Sequence, residues 1–171
     1  VVTNGPQGPA ALPSDYGFIR YDEAASAPIP MTENVAAPFR FLQPVTIMDS
    51  LRAPFAGMAY LDTDGMTLRA RKNGDSYFVR VRLSVVTTRA GGTFTLSLFV
   101  TGNTTGLLGA NTTRSVVLPA AAGTSMRIDE LYQLFPGPGF AANGALFQMV
   151  STVPATVTPE SLFVTPHVAA Q

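Results

Sequence analysis

Apolar and polar positions alternate most regularly between residues 76 and 101. Tyr77, Val79, Val81, Leu83 and Val85 fall on one side of an extended chain and Arg80, Arg82 and Ser84 on the other, the period of a half-buried strand. After Arg89-Ala90-Gly91-Gly92, whose glycines take up positive φ at little cost, Phe94, Leu96, Leu98 and Val100 repeat the pattern against Thr95, Ser97 and Thr101. The two runs predict an antiparallel pair with one apolar face. An isolated hairpin is marginal in water, so a second sheet has to cover that face.

From Pro44 onward, shorter runs separated by turn residues predict further strands at 45–48, 57–61, 66–71, 113–118, 146–153 and 161–165. Asp62-Thr63-Asp64-Gly65 reads as a hairpin turn, and 135–140, Phe-Pro-Gly-Pro-Gly-Phe, as irregular. Residues 125–134 fit either a strand or a short helical turn. Roughly eight strands at intervals of about ten residues, with no long helical period, predict an all-β antiparallel sandwich of the jelly-roll kind over residues 44–171.

Residues 1–43 show neither period, and Pro6, Pro9, Pro13, Pro28, Pro30 and Pro38 interrupt any ladder or helix. An extended N-terminal arm is expected there, not a domain. Fixing each backbone residue costs about 1–2 kcal/mol, while burying an aromatic side chain returns about 1.5–3 kcal/mol. Tyr16, Phe18, Tyr21, Phe39 and Phe41 are therefore expected to anchor the arm, either on its own domain or on a partner. Gly5-Pro6-Gln7-Gly8-Pro9-Ala10 makes two Gly-X-Y triplets, too few for a triple helix, and reads as a polyproline-type spacer.

Composition narrows the partners. Charged residues make up 13% of the 171 and the net charge is zero, which argues against nucleic acid, whose phosphates need a basic face. After Glu130 the one remaining charge is Glu160. So apolar a surface predicts an oligomer. The chain has no cysteine, hence no disulfide or thiolate site. It has no run of eighteen apolar residues and its N-terminus lacks the regions of a signal peptide, so a soluble protein without a membrane partner is expected.

Candidate chemistry adds little. Asp62 and Asp64 open like a calcium loop, but position twelve is Asn73 where a glutamate is needed. His167 is the sole histidine, with no acid beside it and no Gly-x-Ser-x-Gly elbow in the chain. Asp22-Glu23 and Asp129-Glu130 are adjacent pairs whose side chains point apart on an extended backbone. No enzymatic mechanism, cofactor or metal is expected. Arg69, Arg71, Arg80 and Arg82 form a basic stripe expected to pair with the acids of 62–75. Two Asn-x-Thr triplets, at Asn103 and Asn111, are ascribed to chance in a threonine-rich chain.

Gly74-Asp75-Ser76-Tyr77-Phe78-Val79-Arg80-Val81-Arg82-Leu83, the Gly91-Gly92 turn, the return Phe94 to Val100 and the closing Ser161-Leu162-Phe163-Val164 together resemble the trimeric jelly rolls of the tumour necrosis factor and complement globular-head type. The likeness covers about residues 44–166. It implies a homotrimer with the last strand at its axis, and so Leu162, Phe163 and Val164 at the trimer interface. Low charge, absent cysteine and the aromatic-studded arm look more like the bacteriophage versions, which serve as capsid decoration proteins and fibre heads. The resemblance thus implies a non-enzymatic virion protein on the phage surface, a capsid decoration or cement protein. Its arm would hold the major capsid protein or another virion protein. The alternative it implies is the head of a tail or head fibre, recognising a host glycan or protein through the loops 102–111 and 135–144.

Overall fold

The computed structural model describes residues 16–24, 28–100, 113–135 and 137–168. Its elements are β1 (Ile19–Glu23), β2 (Ile29–Met31), β3 (Ala37–Pro38), β4 (Pro44–Asp49), β5 (Thr67–Leu68), β6 (Ser76–Thr87), β7 (Thr93–Val100), β8 (Thr113–Val117), β9 (Ser125–Leu134), α1 (Pro138–Asn143), β10 (Ala145–Ser151) and β11 (Ala155–His167). Sheet A runs β4-β1-β11-β6-β9, with β2 pairing β11 in line with β1; sheet B runs β3-β10-β7-β8, with β5 beside β10. Every pairing is antiparallel. The fold is the all-β antiparallel sandwich that the alternation predicts.

The two longest predicted runs do not pair with each other. β6 lies between β11 and β9 in sheet A, and β7 lies between β10 and β8 in sheet B. The turn at 88–92 crosses from one sheet to the other, with Gly91 and Gly92 at φ 70° and 100°. A Cβ on Gly92 would stand 2.9 Å from the Val153 side chain, so the crossing is tight. Alternation reports which side of a strand is apolar, not which strand lies next to it. The apolar faces of β6 and β7 meet across the core: Val79, Val81, Leu83 and Val85 from one, Phe94, Leu96 and Leu98 from the other, all buried. Phe147 and Met149 of β10 and Val157, Leu162 and Val164 of β11 complete it. Tyr132 bridges the layers, its ring 5.0 Å from Phe147 and its hydroxyl donating to the Leu96 carbonyl at 3.2 Å.

The expected boundary between residues 43 and 44 is corrected. Residues 16–43 are part of the sandwich: β1 sits inside sheet A between β4 and β11, while β2 and β3 extend the sheets. Ile19 pairs with Val164 and Asp49 at once. Glu23 closes the segment, its carboxylate accepting the Leu42 and Gln43 amides at 2.6 and 2.8 Å. Two of the prolines that argue against strands occupy places where a missing N–H costs little: Pro30 and Pro38 are in three- and two-residue pieces. Residues 1–15, including the Gly-X-Y triplets, lie outside the described residues.

Residues 125–134 form a strand, and the stretch read as irregular, 135–140, runs into α1, opened by Pro138 at its first turn and holding Phe140 in the core. At the end of the sandwich away from Ile19, three turns are laced by backbone bonds. Gly91 donates to Pro119 (2.9 Å), Leu118 to Gly92 (2.9 Å), Gly123 to Thr87 (2.8 Å) and Thr88 to Pro154 (3.0 Å).

Candidate assembly surface

Register places one row of residues across five of the six strands of sheet A: Leu131 of β9, Arg80 of β6, Phe163 of β11, Arg20 of β1 and Met48 of β4. Because Val79, Val81, Leu162, Val164, Ile19 and Tyr21 point into the core, this row faces away from sheet B. Phe163 is its centre. The guanidinium of Arg20 lies 5.0 Å from the ring centroid and that of Arg82 5.1 Å, a distance at which the ring quadrupole attracts a cation. Phe18 packs beside it, 6.4 Å between centroids.

Each cation on this face is paired with a carboxylate, Arg80 and Arg82 sharing that of Asp129. Arg20 grips Asp22 through two bonds of 2.7 and 2.6 Å, and Arg80 grips Asp129 through two of 2.6 Å. Arg82 Nε reaches Asp129 at 2.9 Å, and Arg127 meets Glu160 at 2.7 Å. Bonding from Arg80, opposed by burial and assisted by Arg82, holds the Asp129 carboxyl below the usual carboxylate range. The centre of the face is thus charged but paired within the chain, with one guanidinium in excess over the carboxylates that hold it. Its margins differ: Val45, Ile47 and Met48 on β4 and Leu131 and Phe135 at β9 are exposed.

The predicted site residues separate accordingly. Leu162 and Val164 are 1% and 2% exposed and belong to the core, so the assignment of all three consecutive residues to a trimer interface is corrected; neighbours on a strand cannot share a face. Phe163 alone points outward. Of the two receivers open to the arm anchors, the chain's own domain takes four. Tyr21 is buried, its hydroxyl accepting the Tyr60 and Leu61 amides at 2.9 and 3.4 Å. Phe39 and Phe41 are buried edge to face at 5.2 Å, and Tyr16 stands edge-on to Phe55 at 5.3 Å. These four serve the chain's own core, because the segment that carries them is itself sheet. Phe18 is the one anchor on the outward face of sheet A.

The sequence reading omits Arg20 and Asp22 from the surface, and pairs Arg80 and Arg82 with the wrong acids. Arg69 does bind Asp62, and Arg71 binds Asp75, but Arg80 and Arg82 bind Asp129, forty-nine and forty-seven residues away. Period-2 alternation of β9 would place Asp129 and Leu131 on one face; nothing local places β9 beside β6.

Elsewhere, a cleft of about 480 Å³ opens between β1, β4 and residues 57–63, with Ile19, Tyr21, Met58, Leu61 and the carboxyl of Asp49 among its walls. Asp64 caps its own turn, accepting the Met66 and Thr67 amides at 2.8 Å and the Thr67 hydroxyl at 2.6 Å. Burial opposes its charge, but these bonds prevail and lower its pKa. His167 lies edge-on to Phe78 at 5.1 Å. Among the described residues no cluster of three His, Cys, Asp or Glu side chains is placed to hold a metal, and no helix is long and apolar enough to cross a membrane. The loop 102–111 and both Asn-x-Thr sites fall wholly or partly outside the described residues.

No protein-family model and no curated protein sequence matches the chain. Solved structures do. The Eiger tumour necrosis factor of S. frugiperda superposes with a TM-score of 0.57 at 11% identity, covering 92% of this chain and 96% of that one. The fold is a jelly roll of the tumour necrosis factor type. The vertex protein P5 of PRD1, a viral protein, also resembles this jelly roll, with a TM-score of 0.47 at 14% identity over 91% of this chain and 97% of that one.

Proposed function

We propose that this jelly roll is a non-enzymatic structural protein of a virion, a homotrimer that decorates and braces a bacteriophage capsid. Jelly rolls of this type usually form homotrimers, and the reading takes the outward face of sheet A, with Phe163, as the place where sister copies meet. The observation that carries it is the surface itself: charges paired within the chain at the centre and apolar side chains along both margins suit association more than chemistry. A protein that bridges neighbouring subunits of a shell opposes outward pressure from packaged DNA, and needs shape and stability in place of a reactive group.

The test is to incubate the full chain with emptied phage heads, sediment them and count bound copies. Saturation at hundreds of copies per particle supports capsid decoration. A few copies per particle point to a fibre head instead, and no binding to any part of the virion refutes the reading.

A further inference from the structure

Residues three apart on a regular strand point to opposite faces. On β4 two such residues share a face. Thr46 stands opposite Tyr21 and Asp49 opposite Ile19, and the register shifts between Arg20 and Tyr21, leaving Ile47 as the extra residue of a bulge. Because Ile19 and Tyr21 point into the sandwich, the bulge turns both Thr46 and Asp49 inward, the re-aiming that such an insertion produces. Ile19 and Tyr21 are buried core, whereas Thr46 and Asp49 are exposed and line the cleft of about 480 Å³ in front of residues 57–63. Its volume lies within the range of small-molecule sites, about 300–1,000 Å³.

The polar groups on its walls keep unspent bonding capacity. Asp49 accepts the Leu51 amide through Oδ1 at 3.0 Å, and no cation among the described residues pairs with it. Asp62 takes both of its bonds from Arg69 on Oδ2, which leaves Oδ1 free to accept. The Tyr21 hydroxyl accepts two amides, and among the described residues no acceptor takes its own proton. Met58 and Leu61 give the same space an apolar wall.

This inventory selects among ligands. A simple cation would answer Asp49 but could accept nothing from a hydroxyl, and an apolar ligand would leave carboxylate oxygens without a donor. A ring that carries several hydroxyls both donates and accepts, and its C–H face suits Met58 and Leu61. We infer that the cleft binds a neutral saccharide, ring hydroxyls donating to Asp49 and Asp62 while the apolar face of a pyranose lies on Met58 and Leu61. Every wall residue named belongs to one copy of the chain, so the site requires no second copy.

The test is to titrate the isotope-labelled full chain, followed by amide NMR, with the methyl glycosides of glucose, galactose, mannose and N-acetylglucosamine, and separately with agmatine as a cation. The expected result is a saturable shift of amides at 46–49 and 57–63 with at least one glycoside, and none with agmatine. Asp49→Asn keeps an oxygen for the Leu51 amide but removes the charge, and should weaken binding about tenfold, the worth of a hydrogen bond to a charged group. Thr46→Val replaces the hydroxyl by a methyl and should weaken it less, while Met48→Ala, on the outward side, should leave it unchanged. No shift with any glycoside overturns the site. Agmatine binding at least as tightly as every glycoside overturns the saccharide in favour of a cation. Affinity unmoved by both Asp49→Asn and Thr46→Val, or lowered as much by Met48→Ala, overturns the placement of the ligand. The virion reading survives each of these failures, because it uses the other side of sheet A.

Discussion

Removing the Asp75 carboxylate tests how the lower end of the sandwich is held. Its side chain is fully buried, and it receives Arg71 through two bonds, Nε to Oδ2 at 2.8 Å and Nη2 to Oδ1 at 2.9 Å. Arg71 also stacks over Phe55 at 5.0 Å, and its backbone amide donates to the Tyr77 hydroxyl at 2.9 Å. Breaking a buried pair by deleting one partner typically costs about 3–5 kcal/mol, because the other charge is left uncompensated. Arg71 keeps 22% of its side chain in solvent and can turn partly outward, which puts Asp75→Ala at the low end, about 3 kcal/mol. In a domain of this size each kcal/mol moves Tm by about 2–4 °C, so a fall of about 6–12 °C is expected. Urea denaturation gives the free energy and calorimetry the midpoint. Arg71→Met combined with Asp75→Ala removes both charges and is expected to be more stable than Asp75→Ala alone. A loss below about 1 kcal/mol in the single variant, or a double variant as destabilised as the sum of its parts, would refute the assignment of Asp75 as a buried ionic anchor.

Three further outcomes follow from named contacts. Asp129 and Asp64 have folded-state pKa values below the unfolded carboxylate value of about 3.9, so their stabilisation is complete above that value and disappears as pH falls through the lower folded values; urea midpoints from pH 5 to pH 2 should fall less steeply in Asp129→Asn, and an unaltered acid limb would count against it. Gly65→Ala places a Cβ 1.9 Å from the Phe41 carbonyl oxygen at φ 68° and should cost more than about 2 kcal/mol, while Gly57→Ala, at φ 75° with nothing within 4 Å, should cost about 1–2 kcal/mol; equal melting temperatures would contradict the close approach. A chain starting at Pro44 lacks β1, β2 and β3 together with buried Tyr21, Phe39 and Phe41, so circular dichroism should show no cooperative melt; a native-like transition would show those strands to be dispensable.

What the sequence discloses here is set by the distance over which its physics acts. Burial on one side of β6, β7 and β10 is written in adjacent residues and was legible, as was the Asp62 to Gly65 turn, because Asp64 bonds to amides two and three residues on. Pairing is not local. β1 owes its conformation to β11, about 140 residues later, and its five residues Ile19–Glu23 give too short an alternation to stand out among the prolines around them. The same limit hid the surface. Phe163 was singled out by resemblance, but its place between Arg20 and Arg82 depends on β1, β11 and β6 lying in that order.

The antiparallel match of β1 with β11 brings Ile19, the start of one, beside Val164, three residues from the finish of the other at His167, at the same pole. The laced turns lie at the opposite pole. Ala121 and Ala122 stand exposed there beside Gly123, around which a Cβ would meet nothing within 4 Å. Residues inserted at Ala121–Ala122 would project away from the pole where Ile19 and Val164 meet.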